Sequence, residues 1–178
     1  MLSIGAVESA PKQRLHRAYE PASIQLDINL QENSLSLFIS MSSEAVTAIT
    51  TKTVHSLVDQ LNEFTPLAVL PEDADCKQTQ KQFISESAIL PSMNTEPHPQ
   101  STTSQQVTGY LEYECESPEN LSHLKFRGFK AIPGLKHASV WLISDNWQSK
   151  QQLNQKQKVI QLQKKRRLIH FLLELFTD

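Results

Sequence analysis

Six histidines, two cysteines and nineteen acidic residues carry most of the ligand and acid–base chemistry in this 178-residue chain. Neutral imidazole, thiolate and carboxylate are the usual ligands of zinc, so their spacing comes first. His55 and Asp59 stand at i and i+4 in a helical pattern, where such residues share a face. His16 and Glu20 have the same spacing in a Pro-flanked stretch. His98 lies in "PSMNTEPHPQSTTSQQ" (Pro91–Gln106), two positions after Glu96. His16, Glu20, His55, Asp59 and His98 are therefore the candidate metal ligands, with a solvated surface as the competing reading of each. His123 and His137 read as ordinary surface residues at element ends.

Glu112, Glu114 and Glu116 alternate along "EYECE", which puts three carboxylates on one strand face. Such a row suits oxygen ligation of a cation or acid–base work. Charge on a sheet edge also discourages aggregation, and that plainer reading is preferred. Cys76 and Cys115 are far apart and in no CxxC, which excludes zinc-finger and thioredoxin-type motifs. The pair fits one disulfide of an oxidising compartment, or else two buried free thiols. No GxSxG elbow or HExxH string occurs, so the chain is expected not to be an enzyme. The absence of GxGxxG and GxxxxGK[ST] argues against a phosphate cradle. A net charge of -2 and a pI near 6.3 give no field for nucleic acid.

The elements that must position these groups are legible to different degrees. Ile24, Leu26, Ile28 and Leu30 alternate with polar residues, then Glu32-Asn33 offers a turn, and Leu35, Leu37 and Ile39 alternate again: a β-hairpin. Ser42 or Ser43 begins a predicted helix running to about Asn62, with Val46, Ile49, Val54, Leu57 and Leu61 on one side. Strands are expected at Gln82–Leu90, Val107–Ser117, Ala138–Ser144 and Lys158–Gln163. A short helix is expected from Pro118, with Ser117 as its cap. The order is roughly ββαββαββ, which predicts an α+β fold: a mainly antiparallel sheet with helices on one face. Residues 1–22 are expected to be a loose arm, 23–163 a single domain with a disordered insert at about 91–106, and 164–178 an amphipathic helix.

That last segment, "KKRRLIHFLLELFTD", gathers Leu168, Ile169, Leu172, Leu175 and Phe176 on one arc behind a basic run. It can dock on the domain, bind a partner protein or lie on an anionic membrane surface, but its apolar part is too short to span a bilayer. "MLSIGAVESA" ends in small residues, like the end of a signal peptide whose start lies upstream. A start at Met1 would instead imply the cytoplasm.

Five strings, taken in order, resemble one family, the ZrgA-like periplasmic zinc-binding proteins. They are "IQLDINLQENSLSL", the helix after "SMSSEAV", "LPEDADCKQT", "GYLEYECESPENL" and "AIPGLKHASVWLIS", together covering about Ser23 to Leu162. The resemblance implies a secreted, non-catalytic α+β domain serving zinc homeostasis, and it favours the Cys76–Cys115 disulfide. Members carry a His-x-His string before the first strand and a His-rich stretch between two middle strands. Here Tyr19 and Pro21 occupy the His-x-His positions, with His16 the nearest imidazole, and the middle stretch keeps His98 alone. The expected function is thus zinc binding or zinc-homeostasis assistance in the periplasm, with binding weakened by the missing histidines. The alternative is a protein-interaction module on the same scaffold, using residues 164–178 and no metal.

Overall fold

The structure, a computed structural model, describes residues 22–89 and 103–163. The expected arm (apart from Ala22), most of the insert and the whole of 164–178 lie outside them. The two opening strands are β1 (Ser23–Gln31) and β2 (Ser34–Met41), joined through Glu32 and Asn33, with Glu32 in the left-handed region at φ 46°. Period-2 alternation does what it must. Ile24, Leu26, Ile28, Leu35, Leu37, Ile39 and Met41 are buried on one face, and Gln25, Asp27 and Asn29 lie towards the other.

The remaining elements are α1 (Ser43–Ile49), α2 (Val54–Glu63), β3 (Ala68–Val69), β4 (Cys76–Ile89), β5 (Thr103–Cys115), β6 (His123–Phe126), α3 (Gly128–Ala131), β7 (His137–Ser144), β8 (Trp147–Asn154) and β9 (Val159–Gln161). Six strands form one sheet in the order β4-β5-β2-β1-β7-β8, and three form a second, β3-β6-β9. Neighbours are antiparallel except β1 and β7, which run parallel with Ser23 beside His137. One continuous apolar cluster joins the inner face of the large sheet to Val46, Ile49, Leu57, Leu61, Leu124, Phe126, Phe129 and Ile160 of the other elements.

The α+β expectation, helices packed on one face of a sheet, is overturned. Strands make up 52% of the structure and helices 22%, with three short α-helices. A second small sheet takes part of the place expected for helices. The physical reasons are local. The long helix predicted from Ser42 breaks at Thr50–Thr53, because Thr53 starts a new one by capping Ser56 N at 3.2 Å. Pro118–Asn120 is a single 3-10 turn, and Ser117 makes no side-chain cap there. Three segments not read as strands, Ala68–Val69, His123–Phe126 and Trp147–Asn154, are strands. β4 and β5 run further than expected, so Thr103–Gln106 belongs to β5 and not to the insert. Val107 faces inward with Leu111 and Tyr113.

The outer face of the large sheet mixes polar residues with exposed Phe38, Ile84 and Ile143, and a row of rings crosses adjacent strands. Tyr110 pairs with Phe38, Phe38 with Asp27 and Asp27 with Trp141, over which the Lys150 ammonium lies 5.0 Å from the ring centre. Lys81 closes the end of α2, donating to the carbonyls of Asn62 at 2.8 Å and Phe64 at 2.7 Å, and burial lowers its pKa.

The loop that delivers β7 leans on α1. A Cβ at Gly134 would overlap the carbonyl oxygen of Ile49, backbone that has little room to retreat. Gly134→Ala is therefore expected to destabilise the fold by about 1–3 kcal/mol, the usual cost of overpacking. Chemical denaturation checks this, and an unchanged midpoint would mean that the loop moves freely away from α1.

Candidate metal site

The sheet has two chemically different ends. β1 and β7 begin at one of them, β2 and β8 finish there, and the β4–β5 hairpin overhangs it, since its ladder continues past Val107↔Met41 to Ile89↔Thr103. This is the open end. The opposite, turn end holds the β1–β2 and β7–β8 turns and the start of β4.

His16 and Glu20 lie outside the described residues, as does His98. Their attachment points do not. The chain before Ala22 joins at the open end, where the Ala22 carbonyl accepts the Lys136 N–H at 3.1 Å. Residues 90–102, with His98, connect Ile89 to Thr103 at the same end. His137 opens β7 there, exposed and paired in register with Ser23. Neighbouring strands are ~4.8 Å apart, so β1 and β5, two strands apart, stand about 10 Å from each other at this end. Two imidazole-bearing segments are thus attached at the end of the sheet where His137 stands. Sequence reading passed over His137 because no local pattern marks it. Its position comes from the β1–β7 register alone.

His55 and Asp59 share a face of α2 with Nε2 and Oδ2 3.7 Å apart, and their side chains are 86% and 59% exposed. The pair supplies two donors, and the described residues bring no third to it: among them no group of three or more His, Cys, Asp or Glu side chains could hold a metal ion. His123 is half-buried at the start of β6, its Nδ1 3.0 Å from the Ser122 hydroxyl.

Glu112 and Glu114 point outward from β5, while Leu111, Tyr113 and Cys115 point inward. They stand on the second strand in from the sheet edge, since β4 covers them on that side. Glu116 follows β5 and accepts from Lys77 Nζ at 2.7 Å. That hydrogen bond, with the charge behind it, lowers the Glu116 pKa and raises that of Lys77. Burial pushes the Tyr113 phenol up to about 12, so it stays a neutral donor, 3.3 Å from Gln78 Oε1.

Cys76 and Cys115 form a disulfide, S–S 2.05 Å, between directly opposed residues of β4 and β5. They are thus withdrawn from any ligand set, which leaves nitrogen and oxygen donors. Along the edges of β8 and β9 runs a groove of 690 Å³ lined by Trp147, Lys150, Val159 and several glutamines, without a His, Cys, Asp or Glu. Gln151 spans it, its amide donating to the Gln161 carbonyl at 2.8 Å and accepting from the Gln161 N–H at 3.0 Å.

The model of a family described as ZrgA family zinc uptake protein matches residues 12–162. No curated protein matches the chain.

The disulfide closes a loop of sequence separation 39. In the chain-entropy account a loop of that length contributes about 4 kcal/mol. Wild-type chain in reductant, and Cys76→Ser/Cys115→Ser without it, are expected to lose most of that in urea titration. The double variant should be insensitive to reductant. A wild-type midpoint that reductant leaves unmoved would contradict the pairing.

Proposed function

Because the chain belongs to the ZrgA family of zinc uptake proteins, we propose that it is a non-enzymatic zinc-binding accessory of the periplasm, with Zn²⁺ as its cargo. The family match carries this reading, since it runs from residue 12 to 162 and so takes in the arm, the sheet and the insert together. The donors available at the open end suit the ion. His137 is fixed by strand pairing, and His16, Glu20 and His98 belong to segments attached at the same end of the sheet. A closed structural zinc site uses four protein ligands. A site with fewer imidazoles holds the ion less tightly and exchanges it more readily, which fits a protein that passes zinc on. His55 and Asp59 form at most a weak second site.

The compartment follows from the same chemistry. A disulfide persists where the surroundings are oxidising, as in the periplasm. No helix among the described residues is long and apolar enough to cross a membrane.

Calorimetric titration of the tag-free chain with Zn²⁺ tests the proposal. Saturable binding at micromolar metal is expected, weakening as the pH falls because protons compete for imidazole. His98→Ala and His137→Ala should each weaken it by at least ~10-fold, the lower bound for disturbing a metal's supporting groups. His55→Ala should leave it unchanged. Titration heats no larger than dilution would sink the zinc reading and leave the interaction module. Loss on His55→Ala alone would move the site to α2.

A further inference from the structure

At the turn end, the turn between β1 and β2, the Pro118–Asn120 turn, the turn between β7 and β8 and the residues after β9 enclose a groove of 400 Å³. Its floor is apolar, with Leu30, Leu121 and Leu162 and one side of Trp147. Its rim is acidic, with Glu32, Glu119 and Asp145, all exposed, and no basic side chain among the described residues lining it. Glu114 stands nearby at the end of β5, where Cys115 N–H donates to the Asn33 carbonyl at 2.8 Å, while the charge of Glu116 is taken up by Lys77. Like charges gathered around a low-dielectric floor repel one another and raise the local affinity for cations.

The chain supplies such cations at this point. Gln163 lines the groove, and its side-chain amide donates to the Glu119 carbonyl at 3.3 Å. Directly after it come Lys164, Lys165, Arg166 and Arg167, then "LIHFLLELF". Four extended residues reach about 13 Å, so the basic run starts on the rim and cannot leave its neighbourhood before it ends.

We infer that residues 164–178 dock on this groove as an intramolecular latch, with Lys164–Arg167 on the carboxylates of Glu32, Glu119 and Asp145 and the apolar residues that follow over Leu30, Leu121 and Trp147. Guanidinium groups match carboxylates in paired hydrogen bonds, and the lysine ammoniums add point charge. Exposed ion pairs are individually weak and are screened by salt. The latch therefore opens with rising ionic strength, and an open latch exposes a basic run followed by an apolar stretch.

Trypsin tests the contact directly, because the latch residues are its cleavage sites. Cleavage after positions 164–167 of the full chain at low salt is measured relative to a free peptide of residues 160–178. Glu32→Gln/Glu119→Gln/Asp145→Asn should accelerate it about tenfold, a factor within the reach of three exposed pairs. Salt of about 1 M, where the Debye length is ~3 Å, should do the same to the wild type. Cleavage of the wild type as fast as the free peptide, unaffected by the substitutions or salt, would overturn the latch. A second readout spares the acidic residues: in a Trp141→Phe background, removing residues 164–178 should shift Trp147 emission to the red, and an unmoved spectrum counts against docking. Vesicles of phosphatidylglycerol separate the remaining occupant. The latch predicts that the triple variant binds them more tightly than the wild type at low salt, whereas equal binding would assign the segment to the membrane.

Discussion

The parallel pairing of β1 with β7 is the constraint on which the rest of the structure depends. Eight residues, Ser23 to Leu30, lie in register with His137 to Ser144, the only parallel ladder in the large sheet among the described residues. A parallel pair needs a crossover that returns the chain to the end from which it set out. Everything between Gln31 and His137 serves as that crossover: β2, three helices, the β4–β5 hairpin and the first strands of the small sheet. Closing so long a loop is entropically costly and slow. Its compensation is apolar. Leu26 faces Val140 and Ile28 faces Leu142 across the ladder, with Ile39 and Leu37 on the other side of β1, and all six are essentially inaccessible to solvent. β1 becomes a central strand with both edges paired, and its inner face becomes the floor of the core.

What the sequence shows and what it hides follow from that arrangement. The β1–β2 hairpin is legible because both strands have one wet face, so apolar and polar residues alternate. The apolar run of β7 is legible because one edge is paired with a central strand and the other with β8. β8 is not, because an edge strand rich in Gln and Ser buries little beyond Leu153, and nothing in "WQSKQQLN" distinguishes it from a loop. The break between α1 and α2 is hidden for another reason. Apolar residues keep helical phase across Thr50–Thr53, so the pattern looks continuous although the backbone is recapped. Errors of this kind add up to a fold class with too much helix.

The candidate site divides in the same way. The i, i+4 spacing of His55 and Asp59 was visible and is realised on α2, where it assembles two exposed donors. The Cys pair was visible with its outcome open, and the antiparallel register makes it a bond. His137 was invisible as a ligand, since its neighbours in space come from strand pairing over a long chain separation and not from its neighbours in sequence.

The sheet also keeps its two chemistries apart. His137 and two chain connections lie at the open end, and Glu32, Glu119, Asp145 and the disulfide at the turn end, separated by the length of β1. Nine residues of strand span about 30 Å. At physiological ionic strength charges are screened over ~8 Å, so neither end alters the other's electrostatics appreciably. The disulfide works at the same distance. It fixes the base of the β4–β5 hairpin at the turn end, while the overhang that carries the connection to His98 continues the same ladder past β2 to Ile89 and Thr103.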